Sequence, residues 1–383
     1  MMRVDVKPEL LLWACERAGR SIDSLAQHQS FRKLPAWVSG EGRPTFKQLE
    51  KLAQATYTPF GYFFLPKHPQ ESVPIPDLRT VVGQDMEHPS PHLLDTIYIC
   101  QQRQEWYQDF ARSMGESPLP FVGSVTMQSD VAAVARSIRK ALGFDMEERR
   151  SMPTWTDALR HFILQADSIG IMVMVSGIVG SNTHRSLDPQ EFRGFALADP
   201  LAPLVFINGK DTKAAQMFTL AHELAHIWLG ETALSDVGPI TMPSNKVEVW
   251  CNQVAAELLV PLSSLREVYD SGRSLRDELD RLARWFKVST LVILRRLHDM
   301  ENLTRDELRK AYNAELDALR EMSRGSGGNF YLTLPSRVSK RFARALVIST
   351  LEGQTLHRDA FRLLSFSKLA TFHELGRRLG VLF

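Results

Sequence analysis

Two histidines and a glutamate stand together in "FTLAHELAHIWLG" (218–230), as His222-Glu223-Leu224-Ala225-His226. Residues four apart lie on the same face of an α-helix, so His222 and His226 can present imidazole nitrogens to one metal ion. Glu223 lies beside them, where its carboxylate can reach a water on that ion without being a ligand itself. The pattern predicts zinc-peptidase chemistry, in which Glu223 takes the proton of the water and later delivers it to the leaving amine.

A catalytic zinc ion usually keeps three protein ligands, and "EVWCNQVAAELLVP" (248–261) supplies candidates for the third. Glu248 and Asn252 share one helix face. Asn252 can therefore orient a ligand histidine without being a metal ligand itself. Glu257 lies about 180° from Glu248 around an ideal helix, so the two carboxylates cannot both face one ion. One of these two glutamates therefore lies at the surface or in a salt bridge.

Together, the two stretches resemble the ImmA/IrrE metallopeptidases, and the similarity extends upstream to "GFALAD" and "PLVFIN". In this resemblance the third zinc ligand falls on Glu248 and not on Glu257, and Cys251 replaces the usual alanine. The resemblance implies a zinc-dependent endopeptidase that cleaves a repressor or a similar regulatory protein after a stress or phage signal. Zn²⁺ is the first choice for a His-His-Glu set, with Mn²⁺ or Fe²⁺ as alternatives, because ligand type restricts the metal without fixing it.

The loop "SNTHRSLDPQEFRG" (181–194) carries two further candidates, His184 and Arg193, either of which could approach a substrate carbonyl. Histidines and arginines in loops are more often simply solvated. The sequence therefore assigns no oxyanion-stabilising residue.

The elements that must position these residues are short strands and long helices. Runs of β-branched and aromatic residues bounded by Gly, Pro or Asn predict strands at 170–179, 194–199 and 203–208. The spacing of apolar residues predicts helices over about 212–229 and 245–260. The sequence thus predicts an α+β fold that is predominantly helical, with a small sheet beside the two motif helices.

The N-terminal stretches "RSIDSLAQ" and "FRKLPAWVSGEGRPTFKQLEKLA" resemble the XRE/Cro-type helix-turn-helix domain that is fused to many members of this peptidase family. In such a domain the third helix enters the major groove of double-stranded DNA. Pro35 falls where this helix runs and fits only its first turn. The contacts that the resemblance implies are His28, Gln29, Arg32 and Lys33, with Arg43 and Lys47 near phosphates.

Alternatives remain open for the N-terminal unit and for the whole chain. Residues 1–55 hold nine Lys/Arg against six Asp/Glu, which is a small basic excess, and the unit could instead bind protein or form a homodimer. Similar proteins encoded beside toxins suggest a DNA-binding antitoxin or autorepressor whose peptidase-like domain binds a toxin. In either case we predict that Leu12, Leu25, Leu49 and Leu52 form the core of this unit.

These patterns divide the chain into five sections. They are a helix-turn-helix bundle at 1–65, a proline-rich linker at 66–89, a zincin-like metallopeptidase domain with a helical lead-in at 90–265, a helical extension at 266–322, and a C-terminal helical domain at 323–383. The glycine-rich "RGSGGN" interrupts the helical pattern before the last section.

The composition is globular, with 44% hydrophobic and 23% charged residues. A net charge of +2 means that affinity for nucleic acid must come from a local patch. The three cysteines form no C-x-x-C pair, which favours a reducing compartment over a disulfide scaffold or a thiolate zinc site. No segment reaches the roughly 18 uninterrupted apolar residues of a membrane span. The sequence therefore predicts a cytoplasmic protein without a membrane partner.

Overall fold

The computed structural model describes residues 3–79, 89–235, 245–322 and 336–382. The chain divides into two compact units, whose described residues are 3–74 with 89–97 in the first, and 75–79 with 98–235, 245–322 and 336–382 in the second. The predicted break at "RGSGGN" lies outside the described residues. No helix in the described ranges is both long enough and apolar enough to cross a membrane.

The first unit is built from short helices whose starts follow ordinary capping rules. Its helices are α1 (Pro8–Arg17), α2 (Ile22–Ala26), α3 (Leu34–Val38) and α4 (Phe46–Thr56), with 3-10 turns at Gln29–Phe31 and Phe60–Phe64. The Ser21 hydroxyl caps α2, and Thr45 forms a capping box with Gln48 at the start of α4. Pro35 lies in the first turn of α3, as its missing N–H group requires.

The core of the first unit differs from the prediction at one leucine. Leu25, Leu49 and Leu52 are buried as predicted, but Leu12 is 37% exposed and its assignment to the core is wrong. The buried stripe of α1 runs through Leu10 and Leu11 and continues one turn later. Leu12 lies about 100° beyond Leu11 around the helix and therefore points away from that stripe.

The second unit contains a four-stranded mixed sheet. Its strands are β1 (Met172–Ser176), β2 (Gly194–Leu197), β3 (Leu204–Asn208) and β4 (Ala233–Ser235), in the order β1-β3-β2-β4. β1 runs parallel to β3, whereas β2 pairs antiparallel with both β3 and β4. The first three strands match the predicted runs. β4 was not predicted, because three residues are too few for an alternating pattern.

Helices surround this sheet and continue to the C-terminus. They are α5 (Pro91–Ser113, which contributes to both units), α6 (Val131–Leu142), α7 (Met146–Ser151), α8 (Trp155–Ser168), α9 (Lys213–Leu229), α10 (Lys246–Leu259), α11 (Leu262–Val268), α12 (Leu275–Phe286), α13 (Thr290–Asp299), α14 (Arg305–Met322), α15 (Lys340–Leu351), α16 (His357–Leu364) and α17 (Leu369–Arg378). α9 packs against β2, β3, α8 and α10. The predominantly helical α+β fold is therefore confirmed, and the helix-turn-helix identity of the first unit stays a prediction.

Candidate functional site

Helix α9 carries the histidine motif into the interior of the second unit. Thr212 caps the N-terminus of the helix, because its hydroxyl accepts a hydrogen bond from the Ala215 N–H group at 3.2 Å. It ends at Gly230, which has φ +75 and so adopts a left-handed conformation that glycine takes without strain. Every residue from Gln216 to Trp228 is buried. A helix enclosed on all sides in this way brings its polar residues into a dry environment, where they need partners.

Helix α10 is fixed at both ends and presents its first turn to α9. The Asn245 side chain caps the N-terminus by accepting from the Val247 N–H group at 2.8 Å. At the C-terminal end, guanidinium groups of Arg139, Arg149 and Arg296 donate hydrogen bonds to backbone carbonyls of residues 257–260. Cations at a helix C-terminus oppose the negative end of its dipole. These contacts fix the position of α10 along α9, and with it the position of Glu248 in the first turn of α10.

His222, His226 and Glu248 meet in one completely buried cluster. Nε2 of His222 lies 3.1 Å from Nε2 of His226. The Glu248 carboxylate approaches both rings, with Oε1 at 3.1 Å from Nε2 of His226 and Oε2 at 3.3 Å from Nε2 of His222. One atom from each of the three residues lies within 4.8 Å of the others. The three side chains therefore form a group that could hold a metal ion.

The chemistry of this donor set fits zinc. Two ligands about 2.1 Å from one tetrahedral ion lie roughly 3.4 Å apart, close to the separations between these nitrogen and oxygen atoms. His222 donates its Nδ1–H to Oδ1 of Asn252 at 3.0 Å, which leaves the lone pair on Nε2 directed into the cluster. Two neutral imidazoles and one carboxylate are borderline ligands that suit Zn²⁺ while still accepting Mn²⁺ or Fe²⁺.

Glu257 has a different role from Glu248. Its carboxylate forms a short ion pair with the Arg296 guanidinium and also accepts from the Leu262 N–H group at 3.3 Å. Of the two glutamates that the sequence left open, Glu257 is thus the one in a salt bridge.

Burial and the neighbouring groups shift the pKa values of Glu248 and Glu223 in opposite directions. Burial alone would raise the pKa of Glu248, but the charges and hydrogen bonds of His222 and His226 outweigh it and lower the pKa to about 2. Burial and the repulsion of Glu248 raise the pKa of Glu223 well above its ordinary value. Burial also lowers the pKa of His226. Of the two carboxyl groups, Glu248 is therefore the stronger acid, and Glu223 binds a proton more readily.

Glu223 reaches the centre without joining the cluster, and its carboxylate is held by Ser235. The Ser235 hydroxyl lies 3.3 Å from Oε2 of Glu223 and 3.2 Å from Nε2 of His226. Among the described residues, Oε1 of Glu223 has no hydrogen-bond partner. The backbone of Gly194 passes so close that a Cβ atom there would lie 3.1 Å from this oxygen. Oε2 of Glu223 is thus held by Ser235, whereas Oε1 remains able to accept a hydrogen bond or a proton.

Ser235 is a site residue that the sequence did not reveal. It stands outside both motifs, in the three-residue strand β4, and only the pairing of β4 with β2 brings it to Glu223. The two other polar candidates come from the loop before β2. His184 is exposed, and Arg193 forms an ion pair with Asp211 at 3.5 Å. These observations do not assign the stabilisation of an oxyanion to either residue.

Cys251, next to Asn252, is not part of the group of described residues that could hold a metal ion. The thiol is completely buried, and burial together with the charges of Glu248 and Glu223 raises its pKa well above the ordinary value. A thiol that stays protonated is a poor ligand.

The six candidate DNA contacts in the first unit are all exposed; they are His28, Gln29, Arg32, Lys33, Arg43 and Lys47. The first four precede α3, which has only five residues, so they lie in the turn that leads into this helix. Arg43 approaches Asp5 at 3.6 Å across the surface, where such a pair contributes little. Double-stranded DNA as a partner stays a prediction.

Comparison with known families agrees with the metal centre. Residues 166–298 match the peptidase family model described as "IrrE N-terminal-like domain", and this range contains the His-His-Glu cluster, Glu223, Ser235 and Asn252. Residues 338–378 match the model described as "Domain of unknown function (DUF8813)". Neither range includes the first unit. No curated protein matches the chain. The matched range identifies a metallopeptidase-like domain within the second unit.

Proposed function

We propose that the second unit is a zinc-dependent endopeptidase in which His222, His226 and Glu248 hold the metal and Glu223 is the general base. The observation that supports this assignment is the position of Glu223. Its carboxylate lies beside the cluster, is completely buried, and keeps Oε1 without a partner among the described residues. A residue kept only for packing would not place an unpaired carboxylate oxygen in a dry interior.

The residues of the chain divide the work of peptide hydrolysis. A bound zinc ion would supply polarisation of the substrate carbonyl and acidification of a water. Oε1 of Glu223 would accept a proton from the attacking water and pass it to the leaving amine. The Ser235 hydroxyl holds Oε2 so that Oε1 keeps its orientation. Asn252 fixes the ring of His222, and the surrounding core excludes bulk water.

The proposed substrate is a regulatory protein such as a repressor. The resemblance to ImmA/IrrE metallopeptidases supports this class, and so does the presence in the same chain of a helical unit with exposed basic residues. We propose in addition that this helical unit binds double-stranded DNA, because all six candidate contacts are accessible there.

A Glu223→Gln variant tests the peptidase assignment. The amide keeps the shape of the side chain but cannot accept the proton, so we expect one zinc ion per chain, as in the wild type, and loss of cleavage. Zinc content is measured on purified protein, and cleavage is followed with a labelled unfolded protein and with the repressor encoded nearest to the gene. Cleavage that persists in the variant overturns the role of Glu223. A wild-type chain that binds zinc and cleaves neither protein favours the alternative of a partner-binding domain.

A further inference from the structure

The outer edge of the sheet beside the metal centre is occupied by a segment of the same chain. Leu78 donates its N–H to the Leu234 carbonyl at 3.0 Å, and Leu234 donates its N–H to the Pro76 carbonyl at 2.9 Å. These two bonds form a parallel bridge between Asp77 and Leu234 of β4. Because β4 ends the strand order, residues 76–78 cover backbone groups that the sheet itself leaves unpaired. We call residues 75–79 the strap.

The covered edge lies directly beside the proposed catalytic base. Leu234, which pairs with the strap, is followed by Ser235, whose hydroxyl contacts Glu223 and His226. A chain that pairs with Leu234 is therefore one residue along β4 from a group that touches the centre. The catalytic groups are completely buried, so access for a protein substrate requires that some covering element move.

An extended peptide binds most directly to a protein by adding a strand to a sheet edge, because the main-chain hydrogen bonds are the same for any sequence. On β4 such a peptide would need the N–H and the carbonyl of Leu234. Both groups are already engaged by the strap. The strap and an extended substrate cannot pair with Leu234 at the same time.

We propose that the strap is an internal occupant of the substrate-binding edge, and that an extended protein substrate binds β4 only after the strap has left it. This inference rests on the proposed peptidase function for the identity of the occupant that replaces the strap. The binding edge itself does not depend on catalysis. The β4 edge would bind an unfolded or extended polypeptide that pairs one N–H group and one carbonyl group with the backbone of Leu234.

Within the part of the chain that the structure describes, the strap is held at its two ends and by the two backbone bonds to Leu234. Ile75 is buried and anchors one end, whereas Pro76 and Asp77 are exposed. At the other end the Arg79 guanidinium donates to the Glu191 carbonyl at 2.8 Å and pairs with Asp77 at 2.6 Å. Arg79 thus ties the strap both to itself and to the loop before β2. Loss of this side chain should loosen the strap without removing a backbone donor.

Two substitutions at one position separate the backbone bond from the side chain. Leu78→Pro removes the N–H that donates to Leu234, whereas Leu78→Ala keeps this N–H and shortens the side chain. Both are made in the Glu223→Gln full-length chain, so that nothing is cleaved. The probe is a fluorescent synthetic peptide with the sequence of residues 71–79, ESVPIPDLR, and its affinity is measured by anisotropy. We expect the peptide to bind Leu78→Pro about threefold to tenfold more tightly than Leu78→Ala, which is the effect of one lost hydrogen bond.

Arg79→Ala is the second variant, for the case that proline disturbs folding. It should also raise the affinity for the peptide, while the zinc content and the thermal midpoint of the second unit stay near those of the parent. Equal peptide affinity in the parent, Leu78→Pro, Leu78→Ala and Arg79→Ala chains overturns the inference.

Cleavage assays with Glu223 restored keep the two proposals apart. If both hold, Leu78→Pro and Arg79→Ala cleave a labelled unfolded protein faster than Leu78→Ala by the same factor as their gain in peptide affinity. Tighter peptide binding without cleavage in any chain supports the occupied edge and refutes the peptidase function alone. Cleavage at one rate in all chains, with unchanged peptide affinity, supports the peptidase and refutes the strap.

Discussion

Nδ1 of His222 lies 3.0 Å from Oδ1 of Asn252, and this bond joins helix α9 to helix α10 inside the core. A donor at Nδ1 fixes which ring nitrogen keeps its lone pair, so Nε2 faces Glu248 and His226. The same bond sets the rotation of the ring. The proposed metal site therefore depends on a residue that is not one of its three proposed ligands.

The first prediction follows from this bond. Asn252→Ala should lower the affinity for zinc by about 10-fold to 100-fold, because the ring of His222 loses its orienting acceptor. Asn252→Asp keeps an oxygen at the same place and should retain most of the affinity. Competition against a chromogenic chelator measures both values. Equal affinities for the alanine variant and the wild type would show that Asn252 does not orient His222.

A pair of glutamates on α10 gives the second prediction. Glu248→Gln should weaken zinc binding by more than about 100-fold, because it removes an anionic ligand. Glu257→Gln should do the opposite: it should keep the zinc affinity and lower the free energy of unfolding, which is measured without zinc for both variants. The Arg296 guanidinium keeps Asp299 but loses one of its two carboxylate partners, which costs about 1.5–3 kcal/mol, while the proposed metal ligands stay in place.

Urea unfolding and chelator competition on the same two variants check this reversal. Each variant is the control for the other, since both change one carboxylate to an amide on one helix. Loss of zinc affinity in Glu257→Gln at unchanged stability would mean that the ligand has been assigned to the wrong glutamate.

Close packing around Gly194 gives the third prediction. A Cβ atom at this position would lie 2.6 Å from Cγ2 of Thr219 and 2.8 Å from the Phe206 carbonyl oxygen. Gly194→Ala should therefore destabilise the second unit by about 1–3 kcal/mol and displace Glu223, lowering catalysis more than zinc binding. Gly61→Ala is the control, because a Cβ there meets nothing within 4 Å. An unfolding midpoint for Gly194→Ala equal to that of Gly61→Ala would contradict the predicted clash.

Removal of the metal gives the fourth prediction. A ligand that binds only the folded chain stabilises it by about 2.7 kcal/mol at a hundred times its dissociation constant, so chelation should lower the thermal midpoint. In a His226→Ala variant the same chelator should cause almost no shift. A midpoint of the wild type that does not respond to added zinc after chelation would argue against a metal bound to the fold.

The sequence predicted the helices that carry the proposed metal ligands, but it did not predict every residue that surrounds them. His222 and His226 are four residues apart, as are Glu248 and Asn252. This spacing follows from helical geometry, which is local and can therefore be recognised in the sequence. Ser235 could not be found in this way. Its role depends on the pairing of β4 with β2. The residue types of a three-residue strand do not indicate which strand it pairs with.

The strap shows the same limit more clearly. The sequence predicted a proline-rich linker at 66–89, and the described part of it contains no helix. Nothing in those residues indicated which sheet edge the Asp77 backbone would join. The misplaced Leu12 is a smaller error of another kind, because a one-residue choice of helix face depends on the neighbours that cover it.

The fifth prediction concerns the first unit and tests its proposed binding to double-stranded DNA. Arg32 and Lys33 are exposed in the turn before α3, and each would release about one counterion if it contacts a phosphate. Alanine at either position should weaken binding to the promoter of the gene's own operon and reduce the slope of log affinity against log salt by about 1. Arg20→Ala removes the same charge from another exposed position of the unit and should leave this slope unchanged. Fluorescence anisotropy over a series of salt concentrations measures the slopes. If all three variants lower the slope equally, the attraction arises from the general charge of the unit, and the surface before α3 is not the DNA-binding site.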